Sequence, residues 1–342
     1  MRLEPPPWWY RGEPGVLAYG LTPVAAAVDT IGAWRWNRIK PYRSRLPVIC
    51  VGNLTAGGAG KTPLAICIAG MLLAAGRKPG FLTRGFGGSQ RGPHMVDPSR
   101  DTAGGVGDEA LLLARRAPVM VSRDRAAGAK ALETSSVDVI VMDDGLQNPQ
   151  LAKQLSIAVL DPHRLIGNGL VMPAGPLRHD LATQLRRTDA LVVLCGAGEA
   201  MPPLPTKLQT FPGPVLRASL VPQAQAANSL RGIHVIAYAG IGRPSKLFDT
   251  LRAVGAHVAE EVPFPDHHRF TVKDADRLLN LALEHGGTLV TTEKDLARQA
   301  GDDDLRALQQ SSIGLPVDAQ FNDRDLERFR ALLSLLLTRH PN

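Results

Sequence analysis

The sequence predicts an α/β protein, a doubly wound, mostly parallel sheet with a second, smaller α/β domain, on three observations. Short apolar, β-branched runs alternate with helix-forming stretches along most of the chain. One of these runs leads into a glycine-rich loop and then a helix, the arrangement of a phosphate-binding loop. A proline-rich stretch from Met201 to Pro222 separates the longer α/β half from a shorter one with the same rhythm. The 342 residues suffice for two domains, and 44% hydrophobic with 21% charged residues is an ordinary globular balance.

Taken in order, the chain begins with an aromatic and basic segment. Pro14 to Val28 carries no charge, but Gly15, Gly20 and Pro23 interrupt it and it falls short of the roughly 20 apolar residues of a spanning helix. Glu4 and Glu13 stand where a secretory signal would carry positive charge. All four tryptophans, Trp8, Trp9, Trp34 and Trp36, lie here, with Arg35, Arg38, Lys40, Arg43 and Arg45 following. An interfacial helix on anionic lipid has this composition, and so does a segment packed on the protein's own body or on a second copy.

Leu46–Val51 is a strand, Gly52–Gly60 a loop and Leu64–Ala75 a helix. In Thr55-Ala56-Gly57-Gly58-Ala59-Gly60-Lys61-Thr62, glycines let amide groups turn toward phosphate oxygens. Lys61 would reach the β- and γ-phosphates, and the Thr62 hydroxyl would hold Mg²⁺. Thr55 stands where the strict pattern has glycine. Together these features predict a P-loop NTPase-like core that binds a nucleotide with Mg²⁺.

Strands are expected at Pro79–Thr83, Pro118–Val121, Val137–Met142, Leu155–Leu160 and Ala190–Leu194, with helices from Asp108 and over Arg123–Glu133. Beyond the proline-rich stretch come strands at Ile233–Ala239, His257–Val262 and Thr288–Thr291, helices at Lys246–Val254 and Lys273–Glu284, and a last helix at Leu326–Leu337. The strand ending in Asp143-Asp144-Gly145 sets two carboxylates at the ligand-binding edge of an open sheet, for a metal or a nucleophile, unless they form a plain polar turn. Asp108 reads either as a helix N-cap or as a general base that needs a partner, since a helix N-terminus lowers a carboxylate's pKa. His267 and His268 sit in a polar loop of the second domain, and one of them is a natural partner for it. Arg84, Arg123 and Arg178 are candidate phosphate grips or simply solvated charges. Thr291-Thr292-Glu293-Lys294-Asp295 reads as a helix cap with an ion pair.

A formal net charge of +7 suits phosphorylated or membrane partners. With 5% aromatics and no recognition-helix or zinc-finger spacing, no nucleic-acid partner is expected. Cys50, Cys67 and Cys195 lack metal-ligand spacing and read as reduced core thiols.

In order, the chain presents Val51–Pro63, Arg84-Gly85-Phe86-Gly87, Gly107-Asp108-Glu109, Asp143–Gln147, Pro173–Arg178, Ala239–Pro244, Phe264–His268 and Thr291–Asp295. As an ordered set it resembles the tetraacyldisaccharide 4′-kinases, the lipid A 4′-kinases of Gram-negative bacteria. The resemblance implies transfer of the ATP γ-phosphate to the 4′-hydroxyl of a tetraacyldisaccharide 1-phosphate, with Mg²⁺, on the cytoplasmic face of the inner membrane. It implies an acylated disaccharide lipid and a membrane surface as partners, the latter through the N-terminal segment, and no obligate protein partner. It implies Asp108 as the base aided by His267, with Lys61 and Asp144 in the chemistry and residues 55–62 on the nucleotide. Thr62, Asp143 and Asp144 would hold metal, and Arg84, Arg178 and Asn168 would bind substrate. Three positions depart from the family: Asn148 for His, Phe86 for Tyr, and His179 for Glu.

The expected boundaries are 1–45 for the membrane segment, 46–205 for the kinase core, 206–232 for a linker, 233–320 for the smaller domain and 321–342 for a C-terminal helix. Two other classes compete. A membrane-recruited ATPase switch would carry lysine before the glycines, where Ala56 stands. A soluble small-molecule kinase would have an N-terminal segment that only packs on itself.

Overall fold

A computed structural model of the chain describes residues 5–338; residues 1–4 and 339–342, the outer ends of the first and last expected segments, fall outside the described residues. The strands are β1 (Val48–Asn53), β2 (Pro79–Thr83), β3 (His94–Met95), β4 (Val119–Val121), β5 (Val139–Asp143), β6 (Leu155–Leu160), β7 (Ala190–Gly196) and β8 (Val215–Pro222). They continue with β9 (His234–Ala239), β10 (His257–Pro263), β11 (Thr288–Thr292), β12 (Ser312–Leu315) and β13 (Val317–Phe321). A nine-stranded sheet runs β13-β8-β7-β6-β1-β5-β2-β4-β3, and a four-stranded sheet runs β10-β9-β11-β12. Only the two edge pairs of the large sheet, β3 with β4 and β13 with β8, are antiparallel.

The central strands are apolar throughout because both faces of the sheet are covered. Ile49, Val51, Val139 and Val141 face the helix Lys61–Ala74, and the C-terminal helix Asp323–Thr338, which packs on β8 and β13, adds Phe329 and Leu333 to the same layer. Val48, Cys50, Ile140 and Met142 fill the opposite layer. The two-residue alternation of a strand thus builds two cores at once. Strand β1 lies between β5 and β6, and its register pairs Val51 with Asp143, so the glycine loop and the acidic strand end emerge side by side.

The expected linker 206–232 is not a bare linker: it contains β8, which completes the large sheet beside β7, and the helix Ala224–Leu230. The boundary expected near 320 moves too, because β13 returns from the small sheet to pair with β8. The smaller unit, β9 to β12, is therefore an insertion between two adjacent strands of the large sheet. Proline in 201–222 marked a connection, but Val215–Leu220 carries a burial rhythm that only a neighbouring strand makes useful. Pro222, the last residue of β8, is paired across the antiparallel edge with Val317.

Residues Pro7–Tyr10 form a 3₁₀ turn, followed by the helices Val16–Gly20 and Thr22–Arg38. Among the described residues no helix is long and apolar enough to cross a membrane. Cys50, Cys67 and Cys195 are free thiols.

Candidate active site

The site forms where β1, β2 and β5 end and the smaller unit leans over them. Gly60 adopts φ +85° and a Cβ there would meet the Leu194 side chain at 2.4 Å, so the loop can make this turn only with glycine. The amides of Gly57, Gly58, Ala59 and Gly60 donate to no protein acceptor among the described residues. Four open donors ahead of a helix N-terminus make a ready anion cradle. Asn53 braces the loop by donating from its side chain to the Gly57 carbonyl at 2.8 Å, and Ala56 N–H donates to Pro176 at 2.8 Å.

Lys61 and Thr62 open the helix and are both buried. The Lys61 ammonium lies 3.8 Å from Asp144, and the Thr62 hydroxyl lies 3.5 Å from Asp143. Asp143 is fully buried and its second carboxylate oxygen has no partner. Burial, with Glu109 adding to it, pushes its pKa up to about 7. An orphaned carboxylate oxygen beside a threonine hydroxyl is an all-oxygen donor pair that suits Mg²⁺, which takes one or two protein ligands and fills its shell with phosphate and water. No cluster of three or more His, Cys, Asp or Glu is arranged for a metal among the described residues. Asp144 has φ +51°, an uncommon conformation for a residue with a side chain. Its carboxylate meets Arg178 at 3.2 Å; burial opposes its charge, but Lys61 and Arg178 hold its pKa below the ordinary value.

Asp108 is the first residue of the helix Asp108–Ala114, behind Gly107 at φ +92°, where a Cβ would meet the Phe86 carbonyl at 2.6 Å. One of its oxygens accepts the Glu109 N–H at 2.8 Å, so it serves the helix start and the site together. The other lies 2.6 Å from Arg298 Nε and 3.3 Å from His267 Nδ1. Burial works against its charge, yet the His267 hydrogen bond, Lys294 and Arg298 win and hold its carboxyl far below the carboxylate range. His267 sits at φ +56°, with its N–H on Gly240 at 3.0 Å, and its ring packs edge-on against Phe86 at 5.2 Å. His268 turns away to Asp274, 2.9 Å distant.

Sequence reasoning did not single out Glu109 or Arg298 as site residues. Glu109 pairs with Lys294 at 2.8 Å, and Arg298 binds Asp108, Asp295 and the Gly240 carbonyl together. Lys294 and Arg298 are one turn apart on the helix Glu293–Gln299, which was a sequence signal for a shared face. The segment Thr291–Asp295 is indeed a cap, with Thr292 accepting the Asp295 N–H, but its lysine reaches across to the large sheet's helix.

Of the other expected substrate residues, Arg178 lies in the site, also donating to the Thr55 carbonyl at 3.3 Å. Arg84 is exposed at the end of β2. Asn168 is buried and spends both side-chain groups within its own loop, on the Ala174 carbonyl and the Leu170 N–H. Asn148 likewise closes its own turn on Gln150. His179 lies 3.1 Å from Asp29, so a carboxylate from the N-terminal helix stands beside the position where the family has Glu.

A family model described as tetraacyldisaccharide-1-P 4′-kinase matches residues 17–336. The chain belongs to this family. A tetraacyldisaccharide 4′-kinase of Nitrobacter winogradskyi is 46% identical over 94% of this chain and 94% of its own length. One from Methylorubrum populi is 49% identical over 86% of this chain and 89% of its own. A crystal structure of LpxK from Aquifex aeolicus in complex with ATP superposes with a TM-score of 0.69 at 25% identity, covering 94% of this chain and 99% of that one. The family's kinase fold is thus the fold found here, and ATP with Mg²⁺ is its cofactor pair.

Proposed function

We propose that this member of the tetraacyldisaccharide 4′-kinase family carries out the family's lipid A reaction with an Asp108–His267 pair poised over the phosphate loop. The reaction is ATP-dependent phosphorylation of the 4′-hydroxyl of tetraacyldisaccharide 1-phosphate. The observation that carries the assignment is the convergence of two units on one cleft. The loop Gly240–Pro244 approaches so closely that a Cβ on Gly242 would lie 3.7 Å from the Gly58 amide nitrogen.

In this reading the open amides of residues 57–60 and Lys61 hold the ATP phosphates, and Arg178 and Asp144 orient each other at the same edge. Thr62 and Asp143 would hold Mg²⁺, which when bound neutralises charge on the transferring phosphoryl oxygens. With its Nδ1 proton directed at Asp108, 3.3 Å away, His267 has Nε2 to accept a proton, and Asp266 at 3.9 Å from Nε2 adds a second carboxylate that favours the imidazolium. Asp108, kept anionic by Arg298, is a poor final acceptor by itself; it orients His267 and stabilises the imidazolium that forms as the sugar hydroxyl loses its proton. Base catalysis of this kind contributes about 10²–10⁴-fold, the remainder coming from alignment and charge neutralisation.

The acylated substrate is reached through the N-terminal segment. Val16, Leu17, Tyr19, Val24, Val28, Ile31 and Trp34 are exposed, a run of apolar surface that suits docking to the cytoplasmic face of the inner membrane. The same segment is fastened to the core by Trp9, whose indole N–H donates to Pro173, and by Asp29 at His179.

The test is transfer of labelled γ-phosphate from ATP to detergent-dispersed tetraacyldisaccharide 1-phosphate with Mg²⁺. Wild type should form a bis-phosphorylated lipid, and Lys61→Ala, Asp108→Ala and His267→Ala should each lose at least about 10²-fold in kcat. ATP hydrolysis by wild type without lipid labelling would overturn the reading in favour of an ATPase switch.

A further inference from the structure

On the edge of the large sheet opposite the nucleotide loop, where β6 and β7 begin, lies a cavity of about 290 Å³. That is close to the lower bound of the roughly 300–1,000 Å³ typical of small-ligand sites. Trp36, Lys153, Ser156, Arg186, Arg187 and Asp189 line it. The indole of Trp36 carries two cations, the Arg187 guanidinium 3.8 Å and the Lys153 ammonium 4.9 Å from the ring centre. Lys153 donates to the Asn148 and Leu146 carbonyls at 2.7 and 3.3 Å, neither of which neutralises its charge. Arg186 donates to the neutral Thr183 hydroxyl, and the Arg187 side chain has no hydrogen-bond partner among the described residues. None of the three cations is in an ion pair there. Asp189, the acid in the lining, accepts the Ser156 N–H at 2.7 Å.

Lys153 and Arg187, half-buried on one ring beside the exposed Arg186, repel one another, and an anion that joins them relieves that repulsion. Burial lowers the pKa of both Lys153 and Arg187; Cys50 opposes this at Lys153 while Arg187 and Arg125 add to it, Arg186 adds to it at Arg187 while Asp29 opposes it, and burial raises the pKa of Asp189. We propose that this cavity is an anion site, separate from the nucleotide loop, that takes the phosphate group of an anionic phospholipid. A planar guanidinium and an ammonium on one aromatic ring present convergent donors to phosphate oxygens. The lipid source follows from Trp36, which belongs to the same helix, Thr22–Arg38, whose Val24, Val28, Ile31 and Trp34 are exposed. A bilayer on that apolar face would present headgroups near the helix end that forms the cavity wall. The proposal therefore rests on the membrane reading of the N-terminal segment.

The test is flotation of the full chain with vesicles of pure phosphatidylcholine and with vesicles containing phosphatidylglycerol, for wild type, Arg187→Gln and Arg35→Gln. Arg35 is exposed and outside the cavity, so its variant removes the same charge without touching the site. Wild type should prefer the anionic vesicles. Arg187→Gln should lose at least about tenfold of that preference while still binding neutral vesicles, and Arg35→Gln should lose only a fewfold. Equal losses in the two variants, or no preference in wild type, would overturn the lipid site. If wild type floats with neither vesicle, the membrane reading fails, and titration with inorganic phosphate decides the cavity. With the nucleotide loop filled by a non-hydrolysable ATP analogue, saturable tryptophan quenching that disappears in both Arg187→Gln and Trp36→Phe would retain the anion site with free phosphate as its ligand. Absence of quenching would overturn that as well.

Discussion

Asp143 carries the clearest linkage between charge and folding. Its pKa is raised to about 7 against an unfolded value near 3.9, so between those values the folded chain holds a proton that the unfolded chain has released. Its contribution therefore becomes progressively destabilising as pH rises from about 4 to about 7. In metal-free protein, Asp143→Asn should raise the melting temperature at pH 8 more than at pH 5, and in assays with Mg²⁺ it should abolish phosphate transfer at both. Thermal melts at the two pH values check this, and a gain at pH 5 equal to that at pH 8 would contradict it. His179 gives a second expectation. Because Asp29 stands 3.1 Å away, His179→Glu would oppose two carboxylates rather than restore the family's site. It should loosen the N-terminal helix by on the order of 1 kcal/mol, read as faster proteolysis within residues 5–40, and Asp29→Asn should reverse the effect. The departure at 179 could be seen in the sequence. Its partner, 150 residues away, could not.

At the scale of elements, the strands that flank the phosphate loop were legible because their apolar runs, β-branched content and glycine punctuation all point the same way. Strands β8, β12 and β13 were not: β8 lies in the proline-rich stretch that read as a connection, β12 and β13 are only four and five residues long, and all three are meaningful only beside their partners. The N-terminal helix belongs to this scale too. Ile31 and Trp34 are exposed, and the cation on the Trp34 ring is Arg38 of the same helix, so Ile31→Asp with Trp34→Asp should leave the melting temperature within about 1 °C. The same pair should abolish vesicle flotation and raise KM for the acylated substrate with KM for ATP unchanged. A change confined to KM for ATP would place the helix's role elsewhere.

The whole molecule is two sheets joined by a buried ionic ladder, Arg298 to Asp108 and Lys294 to Glu109. These bonds cross between the inserted unit and the large sheet, so they align the histidine loop with the acid that orients it. Arg298→Met would leave the buried Asp108 carboxylate with only His267 and Lys294 to offset its charge, a loss approaching the roughly 3–5 kcal/mol of a broken buried pair. Asp108 has a depressed folded pKa, so the stability it gains from its cationic partners is present above the unfolded value and is lost progressively as pH falls from about 4 through the much lower folded value. The gap in stability between wild type and Arg298→Met should therefore narrow on acidification from pH 7 to pH 3. Denaturant melts across that range test it, and a gap independent of pH would mean that Arg298 acts through packing alone.

The sequence by itself determined the chemistry: a phosphate loop between strand and helix, two acids at a strand end, and an ordered motif set that names the family. It could do so because each of those signals lies within a few consecutive residues whose spacing is their function. Only the tertiary structure decided which charges meet. That Arg298 holds Asp108, that Asp29 stands beside His179, and that Lys153 and Arg187 crowd one tryptophan follow from chain segments brought together over long separations. Whether a buried charge is paired or crowded depends on those distances, and no local pattern of residues encodes them.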